Sequence, residues 1–284
     1  MRVYHNFELT NYNSYKIKAS CKIAYFPENE DDIIDFFLKN KNYILLGSGH
    51  NIIFSKNYYD TPVIIFNGNF SQINKIGPTR LEVEAGAMMW DVATVALENS
   101  LTGLEVFWDI PSTMGGAVVM NAGASGEEIK DVLSTVRYFD VSENTINEIY
   151  KEDILFEYRN SFFQKNTDKI IIKAWLELNK GNQKLIHEKM NNIKAQRWAK
   201  QPKEYPNGGS VFKRPAGYYV GSIIDELGLK GTAIGGAKIS EKHGGFIINT
   251  GNATGKNIID LIQLIQNKVK ENFGIELEVE QRII

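Results

Sequence analysis

Apolar and polar positions alternate along the chain in a way that predicts strands and helices in turn. Lys22-Ile23-Ala24-Tyr25-Phe26 reads as a strand that Pro27 ends. Asn29 then caps a helix whose first turn carries Glu30, Asp31 and Asp32, where the helix dipole favours negative charge; Ile33, Phe36 and Phe37 form its apolar face. A second strand, Tyr43-Ile44-Leu45-Leu46, runs into the turn Gly47-Ser48-Gly49-His50-Asn51, and a third, Val63-Ile64-Ile65-Phe66, follows. Strand, helix and strand in this order predict a small α/β unit with parallel pairing, the glycine turn lying at a strand's carboxyl end.

Further on, Leu81-Glu82-Val83-Glu84-Ala85 alternates like a half-exposed strand, and Trp90 to Asn99 has helical spacing through Val92, Val95 and Ala96. Strands are expected at Thr135 to Val141 and Ile170 to Leu178. Between Met114 and Gly126 the side chains are too small for an ordinary core element, and small residues let backbone approach a ligand closely. A charged helix from Asn182 to about Lys200 carries Leu185, Met190, Ile193 and Trp198 among polar residues and suits a linker. Next come a loop, Gln201 to Arg214, and a helix through Val220, Ile223, Ile224 and Leu227 that Gly228 terminates. Strands then run to Ile248. Thr254 caps a last helix with Ile258, Leu261, Ile262, Ile265 and Val269 on one face.

Composition narrows the function. At 284 residues the chain suits two or three domains, and 32 Lys+Arg against 34 Asp+Glu argue against a polyanion-binding surface, so nucleic acid is not an expected partner. The amino terminus lacks the apolar core of a secretory signal, and no apolar stretch approaches the roughly 18 residues of a membrane span. A cytoplasmic protein without membrane partners is expected. The single cysteine, Cys21, reads as a buried structural thiol, and four scattered histidines make no metal cluster.

Two segments carry candidate chemistry. The backbone N–H groups of the Gly47–Asn51 turn suit phosphate oxygens, although the turn matches neither the Walker pattern nor G-x-G-x-x-G. The segment Ile110-Pro111-Ser112-Thr113-Met114-Gly115-Gly116-Ala117, continued by Met120-Asn121-Ala122-Gly123-Ala124, adds hydroxyls and an amide to small residues. Two such loops suggest an extended, dinucleotide-like ligand.

Further segments join these in a recognisable order: Tyr158-Arg159-Asn160-Ser161-Phe162-Phe163, Tyr205 to Pro215, Ile234 to His243, Asn249 to Thr254, and Leu277-Glu278-Val279-Glu280-Gln281-Arg282. Over nearly its whole length the chain resembles the UDP-N-acetylenolpyruvoylglucosamine reductase (MurB) family, in its compact subtype without an extra substrate-covering loop. The resemblance implies an α+β protein: a two-lobed FAD-binding fold of the PCMH/vanillyl-alcohol-oxidase type, followed by a smaller α/β substrate-binding domain. The expected divisions are 1–68, with the C-terminal residues as a candidate return to it, 69–180, and 181–284. It implies FAD as cofactor, NADPH as co-substrate and a small-molecule substrate, UDP-N-acetylglucosamine enolpyruvate. That substrate would be reduced to UDP-N-acetylmuramate for peptidoglycan, by a monomer or weak oligomer.

The same resemblance assigns sites. FAD contacts fall on Gly47, Ser48, Gly49, His50, Asn51 and Ile52, and on Pro111, Ser112, Thr113, Gly115, Gly116, Ala117, Asn121, Ala122 and Gly123. Arg159 and Glu280 would stabilise an enol-like intermediate, and Ser210 would give the proton. Hydride addition to the terminal alkene carbon drives negative charge into the carboxylate, which a permanently charged, two-pronged guanidinium suits. Glu280 would need a raised pKa to assist an anion, and Ser210 would need an acidifying neighbour such as Lys213. Lys213, Arg214, Lys238 and Lys242 are candidates for the substrate diphosphate, each also readable as a solvated charge; Tyr158 is a stacking or a structural phenol. With no nicotinamide fingerprint, NADPH and substrate are expected to occupy one pocket in turn. Three positions depart from the family pattern: Ala19-Ser20 in place of paired glycines, His50 in place of serine, and Pro111-Ser112-Thr113 in place of Pro-Gly-Ser. His50 keeps open a divergent FAD-dependent oxidase of the same cofactor-binding fold, with flavin attached there.

Overall fold

A computed structural model describes residues 1–284. The chain forms two compact units: one of Met1–Tyr4, Ile23–Ser48 and Thr61–Ala195, the other of His5–Lys22, Gly49–Asp60 and Gln196–Ile284.

The first unit opens with the expected parallel arrangement. Strand Val63–Ile65 lies between the end of strand Ser20–Phe26, paired through Ala24↔Val63, and strand Ile44–Leu46, paired through Leu46↔Ile65. All three residues of the central strand are buried, as a strand covered on both faces requires. The intervening helix, α1 (Glu30–Lys39), begins where the Asn29 side chain accepts a hydrogen bond from Asp32 N, 2.9 Å, and it buries Ile33, Phe36 and Phe37. A second, antiparallel sheet has the order Thr145–Tyr150, Leu133–Asp140, Lys169–Glu177, Arg80–Glu84, Ile73–Ile76. Helix α2 (Met89–Glu98) buries Met89, Val92, Ala93 and Ala96 in the same core.

One sequence expectation is corrected here. The segment from Met114 is an ordinary core element at its start: it forms helix α3 (Met114–Val119), with Met114, Ala117 and Val118 fully buried. Its small residues serve close packing, since a Cβ on Gly115 would lie 3.3 Å from the Ala85 carbonyl oxygen. After the short helix α4 (Phe162–Lys165), helix α5 (Gln183–Lys200) buries Ile186 and Met190, one turn apart, while Leu185 and Trp198 face solvent. The core of the first unit, which α5 joins through those two residues, decides its buried face.

In the second unit an antiparallel sheet runs in the order Asn207–Ser210, Phe246–Asn249, Ala237–Ile239, Ala233–Ile234. Helix α6 (Val220–Glu226) is followed by Gly228 at φ +64°, as the sequence suggested. Helix α7 (Gly255–Phe273) starts in a reciprocal cap between Thr254 and Asn257 and buries the whole expected stripe, Ile258, Leu261, Ile262, Ile265 and Val269. The C-terminal pair Arg282–Ile283 adds in parallel to Ile52–Ile53. Cys21 is buried, as expected of a structural thiol.

Candidate active site

Arg159 sits in a tight turn. Glu157 and Asn160 exchange backbone hydrogen bonds of 3.1 and 3.3 Å, leaving Tyr158 and Arg159 at the tip. Arg159 has φ +54°, a conformation that side chains rarely adopt, and strain of that kind concentrates where structure serves function. Its guanidinium donates from Nη2 to Gly123 O at 2.8 Å and from Nη1 to Asn121 O at 3.3 Å, and it stacks 5.0 Å from the Tyr158 ring. The arginine is thereby joined to the Asn121–Gly123 segment predicted to hold cofactor.

Asn121 is itself fully buried at φ +43°, and its side-chain amide donates to Glu128 at 2.9 Å and to Glu157 O at 3.0 Å. Glu128 in turn lies 3.6 Å from Arg159 and 2.7 Å from Lys130. Sequence reasoning missed Glu128, which follows the small-residue segment but carries no pattern of its own. At the end of the turn, the buried Ser161 hydroxyl donates to Val119 O, 2.8 Å, anchoring it to α3.

The two glycine-containing segments also meet within this unit. Ser48 Oγ donates to Pro111 O at 3.0 Å, and a Cβ on Gly47 would lie 2.6 Å from Thr113 Oγ1. Thr113 caps α3 through Gly116 N, 3.3 Å. Glycine backbone at Gly47, Gly115, Gly116 and Gly123 is partly exposed, and Ser48, Ser112 and Thr113 set hydroxyls beside it. Small, polar, half-open backbone of this kind fits the nucleotide part of FAD.

The second unit gathers Ser210, Glu280 and the remainder of the glycine turn. Residues 211–213 run antiparallel to 278–280: Glu280 N donates to Val211 O at 2.8 Å, and Lys213 N to Glu278 O at 2.9 Å. Ser210, exposed, therefore precedes the residue to which Glu280 is bonded. Asn51 Nδ2 donates to Glu280 O at 3.0 Å, and Arg282 N to Asn51 O at 2.9 Å. Gly49 has φ +72°, and a Cβ there would lie 1.9 Å from Tyr12 O, so only glycine fits. The Ser14 hydroxyl donates to His50 O at 3.2 Å.

Tyr15 and Gln281, which sequence reasoning also missed, lie beneath Ser210. The Tyr15 hydroxyl donates to Gln281 Oε1 at 2.8 Å, and burial pushes its pKa up. Among the basic candidates, Lys213 pairs with Glu278 at 2.6 Å, Lys238 with Glu241 at 2.5 Å, and Lys242 with Glu204 at 3.5 Å; Arg214 stacks 3.7 Å from the Tyr219 ring. No group of acidic, histidine and cysteine residues is placed to hold a metal. No helix is long and apolar enough to cross a membrane.

Residues 201–284 match the model of the UDP-N-acetylenolpyruvoylglucosamine reductase C-terminal domain, and residues 22–147 match that of an FAD binding domain. The UDP-N-acetylenolpyruvoylglucosamine reductase of Francisella tularensis is 41% identical over 97% of this chain and 98% of its own length. That of Caldanaerobacter subterraneus is 41% identical over 100% of this chain and 94% of its own. The crystal structure of the Thermus caldophilus enzyme superposes with a TM-score of 0.85 at 29% identity, covering 100% of this chain and 99% of that one. The α+β architecture with its FAD-binding domain follows, and the chain belongs to the UDP-N-acetylenolpyruvoylglucosamine reductase family, an FAD-dependent oxidoreductase.

Proposed function

We propose that this chain reduces UDP-N-acetylglucosamine enolpyruvate to UDP-N-acetylmuramate with NADPH, in the cytoplasm and as a monomer or weak oligomer, in peptidoglycan precursor synthesis. Residues 1–68 and 69–180 serve the cofactor and 181–284 the substrate. FAD, when bound, would supply the hydride chemistry that links NADPH to the terminal carbon of the enolpyruvyl group. One solvent-derived proton at the ether-bearing carbon completes the balance, giving NADP⁺ and a lactyl ether.

The chain's own residues manage charge and that proton. Arg159 holds the substrate carboxylate as negative charge accumulates on it, its fork oriented by the carbonyls of Asn121 and Gly123. Ser210 delivers the proton, and Glu280 shares a proton with the enol-like oxygen. Gly47 to Ile52, Pro111 to Thr113, Gly115 to Ala117 and Asn121 to Gly123 line the flavin nucleotide. Tyr158, Lys213, Arg214, Lys238 and Lys242 face the nucleotide sugar. The observation that carries this reading is the pairing that sets Ser210–Val211 beside Glu280.

Ser210→Ala tests it. The expected result is a loss of about 10²–10⁴-fold in turnover, with flavin reduction by NADPH nearly intact. Equal loss in both half-reactions would remove Ser210 from the role of proton donor.

A further inference from the structure

A buried glutamine next to Glu280 spends its amide on the backbone that carries Ser210. Gln281 is 4% exposed, and its Nε2 donates to three successive carbonyls: Gly208 O at 2.9 Å, Gly209 O at 3.3 Å and Ser210 O at 3.3 Å. Its Oε1 accepts from Tyr15, which is fully buried. Three carbonyls converge on one nitrogen only if the backbone curls, and Gly209 supplies the curl at φ +78°. The curl coincides with an irregularity in the pairing of Asn207–Ser210 with Phe246–Asn249, between the Asn207↔Ile248 and Ser210↔Phe246 partners. The fit is close, since a Cβ on Gly208 would lie 2.7 Å from Tyr15 Cε2 and 2.8 Å from Gln281 Nε2.

Core packing alone does not call for an amide here. A buried amide costs stability unless its hydrogen bonds are made, and an apolar side chain of similar size would fill the same space. What the amide adds is direction: it fixes the peptide planes on either side of Ser210 relative to the 278–280 segment that pairs with 211–213. We propose that Gln281, held by Tyr15, is a positioning residue that sets the Ser210 hydroxyl for proton delivery. The inference rests on the proposed role of Ser210. A misplacement of about 1 Å in a reacting group costs on the order of 100-fold in rate.

The test uses the FAD-loaded full chain and separates the two half-reactions: flavin reduction by NADPH, and anaerobic reoxidation by UDP-N-acetylglucosamine enolpyruvate. Gln281→Met keeps volume and removes the amide. Its saturating reoxidation rate should fall about 10–100-fold, with flavin reduction within about twofold and half-saturation by the enolpyruvyl substrate within about threefold of wild type. The solvent deuterium isotope effect on reoxidation should rise, because proton delivery becomes more limiting. Tyr15→Phe, which leaves Gln281 without its anchor, should show the same pattern at roughly 3–10-fold, and it decides the matter if Gln281→Met fails to hold FAD. Wild-type reoxidation, a loss shared by both half-reactions, or an unchanged isotope effect would overturn the inference. Ser210→Ala, run alongside, separates the two claims: if it slows reoxidation while Gln281→Met does not, positioning by Gln281 alone fails. If Ser210→Ala reoxidises at the wild-type rate, the role of Ser210 fails and the inference with it.

Discussion

At the scale of single residues, Arg159 combines a left-handed backbone with a guanidinium held by two carbonyls and flanked by Glu128. The carbonyl bonds fix the plane of the fork, and a lysine could not reproduce that plane even though it keeps the charge. Arg159→Lys, which leaves the backbone strain as it was, should therefore lower kcat/KM for the enolpyruvyl substrate by about 10²–10³-fold while flavin reduction stays within about twofold. A variant within threefold of wild type would show that Arg159 does not hold the carboxylate. Arg159, Ser210 and Glu280 were legible as candidates through their ordered motifs. Their supports were not: Gln281 reads as one more polar residue in the Leu277–Arg282 segment, Tyr15 as one aromatic among thirteen tyrosines, and Glu128 as half of an acidic pair. Hydrogen bonds between residues as far apart as Tyr15 and Gln281 leave no local pattern.

Among the elements, long periodic segments were legible and close-packed ones were not. α7 has both its cap and its buried stripe where the spacing puts them, because Thr254 and the i, i+3, i+4 apolar rows are local signals. The parallel pairing of strands Ser20–Phe26, Val63–Ile65 and Ile44–Leu46 followed from the intervening helix. α3 was misread because burial there depends on a neighbour: Gly115 packs closely because Ala85, just past the end of strand Arg80–Glu84, comes within 3.3 Å of where its Cβ would lie. The start of α7 shows the same logic in the second unit, where a Cβ on Gly255 would lie 1.8 Å from Phe54 O. Gly255→Ala is expected to lose about 1–3 kcal/mol or more in denaturant unfolding, despite alanine's better helix propensity. A gain in stability would contradict the close approach.

For the molecule as a whole, the likeness to family members over its full length accounts for chemistry that no single loop establishes. The glycine turn alone supported only a phosphate cradle; it lies within the residues that match an FAD binding domain, and we propose it as one component of the flavin site. On the proposed reading, NADPH and the enolpyruvyl substrate would use the same flavin position in turn. Initial rates are therefore expected to give parallel, ping-pong lines in double-reciprocal plots, and intersecting lines would argue for simultaneous occupancy. The most direct test of enolpyruvyl reduction is a single anaerobic turnover in D₂O, mixing pre-reduced protein with UDP-N-acetylglucosamine enolpyruvate. Reoxidation of the flavin in one equivalent, with a solvent-derived deuteron on the ether-bearing carbon of the lactyl product, is the predicted result. Flavin that stays reduced until oxygen is admitted, with the enolpyruvyl ether recovered intact, would contradict it.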